Sequence, residues 1–184
     1  MLCLVILIVI QTLAAMKMSV LNKLLEQRAY TDAHTGLPNK DACEVLLNNK
    51  ETVAKHTACI MFDLNNLKII NDTKGHSKGD QLILNFARLL RNVIPQKDFV
   101  GRYGGDEFMA VIYNTSKTEI EDILKQLSRE KDRLNSSGNN MPIDYACGWA
   151  ISDADSECTI QMLLDKADYY MYENKQAYKK SKKS

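Results

Sequence analysis

The sequence lacks the cysteine and histidine patterns that mark disulfide-stapled or zinc-bound small proteins. Its 184 residues include five cysteines and three histidines. The cysteines are widely spaced, and no two of them form a Cys-x-x-Cys pair. A disulfide framework or a zinc centre is therefore not expected, and the odd number of cysteines fits a reducing compartment.

A large excess of charge of either sign is also missing. The chain carries 24 Lys and Arg against 23 Asp and Glu, a formal net charge of +1. Proteins that coat nucleic acid usually show a clear basic excess, so no nucleic-acid partner is expected. Hydrophobic residues make up 45% of the chain, which excludes wholesale disorder. The length suits one compact domain of about 150 residues.

The N-terminal segment is uncharged, and its first ten residues are all apolar. A helix of 16 to 20 residues spans roughly 24–30 Å, which just suffices to cross a bilayer. We expect a membrane anchor over residues 1–18 and a connecting helix over 19–30. Lys17, Lys23 and Arg28 would then place the rest of the chain in the cytoplasm, at the inner membrane. A buried core helix and the end of a longer membrane region are the alternatives.

The remainder alternates between helical and strand-like segments. The apolar run at 57–62 has the length of a buried strand, and Gly104-Gly105 between two strand-like runs predicts a hairpin. Between the strand at 57–62 and the next helix, over residues 63–80, a polar turn is predicted, with Asn71, Asp72, Gly75 and Gly79 as breakers. Strands are predicted at 57–62, 98–103, 107–113 and 144–151, and helices at 17–29, 41–49, 81–94, 118–134 and 159–180. This order predicts an α/β or α+β sandwich with helices packed on a central sheet.

Three acids could meet at one edge of this sheet. Asp63 follows the first buried strand, and Asp106 and Glu107 follow the Gly-Gly turn. Because side chains alternate along a strand, at most one of the two neighbouring acids shares a face with Asp63. Carboxylates from adjacent strands would hold Mg²⁺ together with substrate phosphates. Taken alone, each acid is also explained as a strand cap or an exposed hairpin tip.

Four blocks of sequence together resemble the GGDEF family of diguanylate cyclases. The segment RYGGDEF at 102–108 equals the family signature letter for letter. TDAHTGLPNK at 31–40, DLNNLKIINDTKGHSKGD at 63–80 and ADYYMYENKQAYK at 167–179 are similar to its other blocks, in the same order. Such a set is far more specific than one short motif. The resemblance places the domain at 31–180, with a basic tail at 181–184.

The resemblance implies both a fold and an activity. The fold is a mostly antiparallel five-stranded sheet flanked by helices, related to nucleotide cyclases and polymerase palms. The activity is condensation of two GTP into cyclic di-GMP with release of two pyrophosphates, assisted by Mg²⁺ or Mn²⁺. Each of two facing domains would hold one GTP, so turnover would need a homodimer.

The resemblance also implies roles for individual residues. Asp63 and Asp106 would bind the metal with the carbonyl of Leu64, and Glu107 would lie beside the attacking 3′-hydroxyl. The substrate contacts would be Asn71 and Asp80 on guanine, Lys175 and Lys179 on the triphosphate, and Gly104 and Gly105 where the backbone approaches the nucleotide.

The sequence departs from the family pattern at several positions. Asn65 stands where many members carry a second Asp, and Lys179 replaces an Arg, which loses the bidentate fork. Pro95 stands where many members carry the Arg of the inhibitory R-x-x-D site, so strong product feedback is not expected. A GTP-binding signalling module with weak turnover, and a cyclase that acts on another nucleotide, are the alternative functions.

Overall fold

The structure is a computed structural model that describes residues 2–49, 52–53, 56–138, 141–152 and 158–181. The helices of the described chain are α1 (Leu2–Ala29), α2 (Lys40–Leu47), α3 (Leu67–Lys74), α4 (His76–Val93), α5 (Lys117–Ser136) and α6 (Ile160–Ser181). Its strands are β1 (Ala58–Leu64), β2 (Phe99–Arg102), β3 (Glu107–Ile112) and β4 (Tyr145–Ile151).

One antiparallel sheet lies at the centre of the domain, with strand order β2-β3-β1-β4. All seven residues of β1 are buried, because helices cover both faces of the sheet. Alternate side chains of β1 enter one core with α4 and α5, and the others enter a second core with α2 and α6. The α+β architecture predicted from the sequence is therefore confirmed.

The core on the α4 and α5 face is organised around aromatic rings. Phe62 and Phe108, from β1 and β3, each meet Phe86 of α4 edge to face, at centroid distances of 6.0 and 5.1 Å. All three side chains are fully buried. Edge-to-face contacts of this kind add to the free energy of burial, so they fix α4 on the sheet.

The other face is closed by a direct contact between the backbones of α6 and β4. A Cβ atom added to Gly148 would lie 2.1 Å from the Met171 nitrogen and 2.2 Å from the Ala167 oxygen. These separations are far below van der Waals contact, so only glycine allows the helix to lie this close. The contact sets the height of α6 above the sheet.

The expected fifth strand is not found among the described residues. The sheet has four strands, and they correspond to the four strand-like runs seen in the sequence. The expectation of a fifth strand came from the family resemblance alone. Ser152 follows β4, and the described chain resumes at residue 158, shortly before α6.

The prediction of a polar turn across residues 63–80 is also wrong. Asp63 and Leu64 belong to β1, and the rest of the segment forms α3 and the start of α4. Gly75, with φ of +84°, separates the two helices, and a positive φ of this kind suits glycine. Gly79 lies buried inside α4, so it does not end a helix.

The N-terminal residues form a single helix of 28 residues. Its stretch Ile6–Glu26 is long and apolar enough, by length and composition, to cross a membrane, and none of it is buried against the domain. The end of α1 is bound through its backbone, because the Asn39 side chain donates to the Ala29 carbonyl at 2.7 Å. The membrane anchor over residues 1–18 stays a prediction, and residue 1 lies outside the described chain.

Replacing Gly148 by Ala should destabilise the domain, because the new methyl group would overlap the backbone of α6. We expect the free energy of unfolding to fall by about 3 kcal/mol, the upper end of typical overpacking costs. Urea unfolding of the full chain in detergent, followed by fluorescence of the single tryptophan, Trp149, measures this.

The matched control is Gly105→Ala. A Cβ at Gly105 would meet no atom within 4 Å, so we expect a change of less than about 0.5 kcal/mol there, as at ordinary surface sites. Equal stabilities of the two variants would contradict the backbone contact at Gly148.

Candidate active site

The three acids singled out in the sequence converge at the end of β1. Asp63 and Glu107 are directly opposite each other in the β1–β3 ladder, so their side chains share one face of the sheet. The Leu64 N–H donates to the Asp106 carbonyl at 2.9 Å, which holds Asp106 beside the same strand end. Of the two neighbouring acids, Glu107 is therefore the one that faces Asp63.

Asp63 is a buried carboxylate with only 7% of its surface exposed. Its Oδ2 accepts a hydrogen bond from the Lys175 ammonium of α6 at 2.5 Å. Its Oδ1 is buried and has no hydrogen-bond partner in the described part of the chain. A buried charge is costly unless it is paired, so Lys175 is an important partner of this carboxylate.

Negative charge accumulates around Glu107. Burial raises the pKa of Glu107, and the neighbouring carboxylates of Asp106, Asp63 and Asp168 raise it further, while Lys175 acts in the opposite direction. Asp168 lies on α6 and was part of a motif in the sequence, but no role was predicted for it. The site therefore gathers several acids around the partly buried Lys175.

These residues fit a small divalent cation. The described residues include no group of three or more His, Cys, Asp or Glu side chains placed to hold a metal ion. Mg²⁺, however, usually binds one or two protein carboxylates and completes its shell with phosphates and water. Asp63, with a buried oxygen that lacks a donor, suits such a role, and the backbone of Asp106 is held beside the same strand end by the Leu64 N–H.

The Gly-Gly turn leaves space for one of these acids. The Gly104 N–H donates to the Glu107 carbonyl at 3.1 Å, which closes the turn. A Cβ at Gly104 would lie 2.6 Å from the Glu107 carboxylate, whereas Gly105 is exposed. The absence of a side chain at Gly104 thus gives the Glu107 carboxylate its position.

Arg102 links the Gly-Gly turn to Asp32. Its guanidinium donates to the Gly105 carbonyl at 2.9 Å and to both carboxylate oxygens of Asp32 at 3.3 Å. Burial raises the pKa of Asp32, but hydrogen bonds from Thr35 and the charge of Arg102 outweigh it and hold that pKa below its ordinary value. The sequence offered a signal here, since opposite charges stand in two of the motif blocks, but the pairing was not predicted.

The two residues proposed to read guanine lie where α3 meets α4. The Asn71 side chain packs on Gly79, where a Cβ would lie 1.9 Å from its oxygen, and this oxygen is buried without a partner among the described residues. Asp80 follows directly and is exposed. Its backbone carbonyl accepts a hydrogen bond from His34 at 2.9 Å, a contact that was not predicted from the sequence.

Of the two lysines assigned to the triphosphate, the structure describes the side chain of Lys175 and not that of Lys179. Lys175 lies against Asp63, so the structure pairs it with the candidate metal ligand. Lys179 belongs to α6, but its side chain lies outside the described residues, as do residues 182–184 of the basic tail.

Comparison with known sequences agrees with the motif assignment. Residues 29–181 match the family described as diguanylate cyclase, GGDEF domain. The signaling protein YkoW of Bacillus subtilis is 31% identical over 164 residues, which cover 85% of this chain and 20% of that protein. The diguanylate cyclase DgcP of Escherichia coli is 29% identical over 165 residues, which cover 87% of this chain and 48% of DgcP. The chain thus spans less than half the length of these two relatives.

A solved structure shows the same fold. The coiled coil and GGDEF domain of DgcB from Caulobacter crescentus, determined in complex with c-di-GMP, superposes with a TM-score of 0.77 at 22% identity. The alignment covers 91% of both chains. Since the family match extends over most of the sequence and includes the signature turn beside Asp63, the chain belongs to the GGDEF-domain family of diguanylate cyclases.

Proposed function

We propose that this chain is an active diguanylate cyclase, which condenses two GTP into cyclic di-GMP and releases two pyrophosphates. The observation that carries the proposal is the pairing of Glu107 with Asp63 across β1 and β3, with Asp106 held beside them. Members of this family that bind GTP without turnover usually lack the signature acids. This chain retains all three, so the alternative of a GTP-binding signalling module is less well supported.

The arrangement suits phosphoryl transfer, which depends on charge neutralisation and in-line positioning more than on a covalent nucleophile. Asp63, Asp106 and the carbonyl of Leu64 would hold Mg²⁺ or Mn²⁺, which when bound neutralises charge on the phosphates. Glu107 would lie beside the 3′-hydroxyl and accept its proton on a carboxylate oxygen. A buried environment that raises the pKa of Glu107 favours such a proton acceptor.

Recognition of the nucleotide would come from α3, α4 and α6. A carboxylate at Asp80 can accept both the N1–H and N2–H donors of guanine, whereas adenine offers no matching pair. Asn71 would add a further contact through its buried amide oxygen, which has no partner in the described chain. Lys175 and Lys179 would hold the triphosphate, together with backbone N–H groups that follow Asp63.

Turnover would require two copies of the domain, because each copy holds only one of the two reacting GTP molecules. Helix α1 leads directly into the domain, and the stretch Ile6–Glu26 within it has the length and composition of a membrane span. We propose that α1 anchors the chain in the cytoplasmic membrane with the catalytic domain in the cytoplasm. Confinement to a membrane raises the local concentration of partners, which favours the homodimer.

Turnover by the full chain in detergent, with GTP and Mg²⁺, tests the proposed activity. Chromatography should detect cyclic di-GMP from the wild-type protein, and Asp106→Ala should lower the rate by about a hundredfold or more, because it removes charge that would hold the metal. Asp122→Ala is the matched control, since Asp122 is an exposed acid on α5 that pairs with Lys125. GTP binding without product, even at high protein concentration, would favour the signalling module.

Selectivity for guanine should depend on Asp80. In Asp80→Ser the ratio of kcat/KM for GTP over ATP should fall by about tenfold to a hundredfold, the value of one bidentate contact to a base. Asp72→Ser, an exposed acid on α3, should leave the ratio unchanged. Full discrimination by Asp80→Ser would remove Asp80 from the guanine contact.

Product feedback through the R-x-x-D position should be weak. Residues Pro95–Asp98 occupy that position, and Pro95 lines an adjacent cavity of about 300 Å³ together with Ile94 and Phe99. The proline supplies no guanidinium, and the Asp98 carboxylate already accepts the Tyr113 N–H at 3.0 Å. Progress curves should therefore change little when cyclic di-GMP is added. Tight non-competitive inhibition by the product would show that another group replaces the missing arginine.

A further inference from the structure

The ammonium group of Lys175 lies on the carboxylate that would bind the metal. The ion pair joins Nζ and the Asp63 Oδ2 at 2.5 Å, and the two side chains are only 26% and 10% exposed. Lys175 comes from α6, far along the chain from β1. Within the described residues this is the sole ion pair that Asp63 makes.

We infer that Lys175 is the counter-ion of Asp63 in the metal-free protein, that a divalent cation must displace it, and that the released ammonium then binds the triphosphate. The inference rests on the proposed function, since that function assigns the metal to Asp63 and the phosphates to Lys175. It adds an exchange of partners, in which the same ammonium serves two anions in succession.

Electrostatic repulsion between the Lys175 ammonium and the metal ion is the reason that one would replace the other on Asp63. Lys175 binds Oδ2, and Oδ1 has no partner among the described residues. An ammonium and a divalent cation on the two oxygens of one buried carboxylate would nevertheless repel each other at short range, where water screens them poorly. Without either cation, Asp63 would be a buried charge next to Glu107, Asp106 and Asp168, which is costly. The site therefore favours one cation on Asp63 at a time.

The chemistry of lysine suits this exchange. Its ammonium is a compact charge at the end of a flexible four-carbon stem with rotatable donors. About a quarter of the Lys175 side chain reaches solvent, which leaves it a route away from Asp63. The backbone of α6 is fixed on β4 at Gly148, so only the side chain needs to move.

Competition between Lys175 and the metal for Asp63 predicts a change in metal affinity, which can be measured without turnover. In the wild type a metal ion must displace Lys175 from Asp63, so a variant without this ammonium should bind the metal more tightly. Lys175→Met should therefore tighten Mn²⁺ binding to the nucleotide-free full chain in detergent by about tenfold, within the usual range of coupling between linked sites. The signal of free Mn²⁺ in electron paramagnetic resonance measures the affinity.

Two variants serve as controls for this titration. Lys166→Met removes the same charge from an exposed position on the same helix, and it should leave Mn²⁺ affinity within twofold of wild type. Lys175→Arg keeps a cation beside Asp63, so it should not tighten binding. Unchanged or weaker Mn²⁺ binding in Lys175→Met would overturn the inference.

A second measurement follows Lys175 itself in the wild-type chain, so it does not depend on the folding of a variant. Acetylation of lysines by a succinimidyl ester, read by peptide mass spectrometry, should be slow at Lys175 without metal and several-fold faster with Mg²⁺. Addition of Mg²⁺ with a non-hydrolysable GTP analogue should slow it again. Lys166 in the same digest is the internal reference. An acetylation rate at Lys175 that does not change when Mg²⁺ is added would contradict the exchange.

Asp63→Asn separates failure of the exchange from failure of the proposed function. This variant should lose Mn²⁺ binding and should make Lys175 react quickly without any metal. Wild-type Mn²⁺ binding in Asp63→Asn would show that the metal lies elsewhere, and the proposed function would fail at its metal site. Loss of binding in Asp63→Asn, combined with no effect of Lys175→Met, would overturn only the exchange.

Discussion

The close contact between the backbones of α6 and β4 is the constraint on which the candidate site depends. A helix that lies this near the sheet at Gly148 has little freedom to tilt or slide, because backbone atoms meet on both sides. Asn174 adds a second tie, since its amide donates to the Cys147 carbonyl of β4 at 2.8 Å. The next residue is Lys175, whose ammonium reaches Asp63 on the neighbouring strand. The close packing at Gly148 thus determines where the Lys175 ammonium lies.

The site concentrates like charges and compensates them locally. Asp63 and Glu107 face each other across a strand pair, and Asp106 and Asp168 contribute further negative potential. Such a cluster destabilises a folded domain unless cations neutralise it. The cluster lies at the end of the two central strands, β1 and β3, and the buried apolar residues on both faces of the sheet hold these strands in place.

Much of the fold could be predicted from the sequence because its signals are local. The apolar run that became β1 and the Gly104-Gly105 hairpin both rest on residues close together in the chain. The helices within 63–80 were missed because Gly75 and Gly79 look alike in a sequence, although one separates two helices and the other lies inside a helix. The Lys175–Asp63 pair could not be derived locally, since it joins residues 112 positions apart.

The junction between α1 and the domain is held by hydrogen bonds to the backbone of the incoming segment. Asn39 contacts two main-chain carbonyls of the incoming segment: its side chain donates to the Ala29 carbonyl, and its own N–H donates to the Tyr30 carbonyl at 3.0 Å. Every helical segment presents the same carbonyls, whatever its side chains. The two hydrogen bonds from Asn39 therefore fix the position of the incoming backbone without requiring a particular side chain at residues 29 and 30.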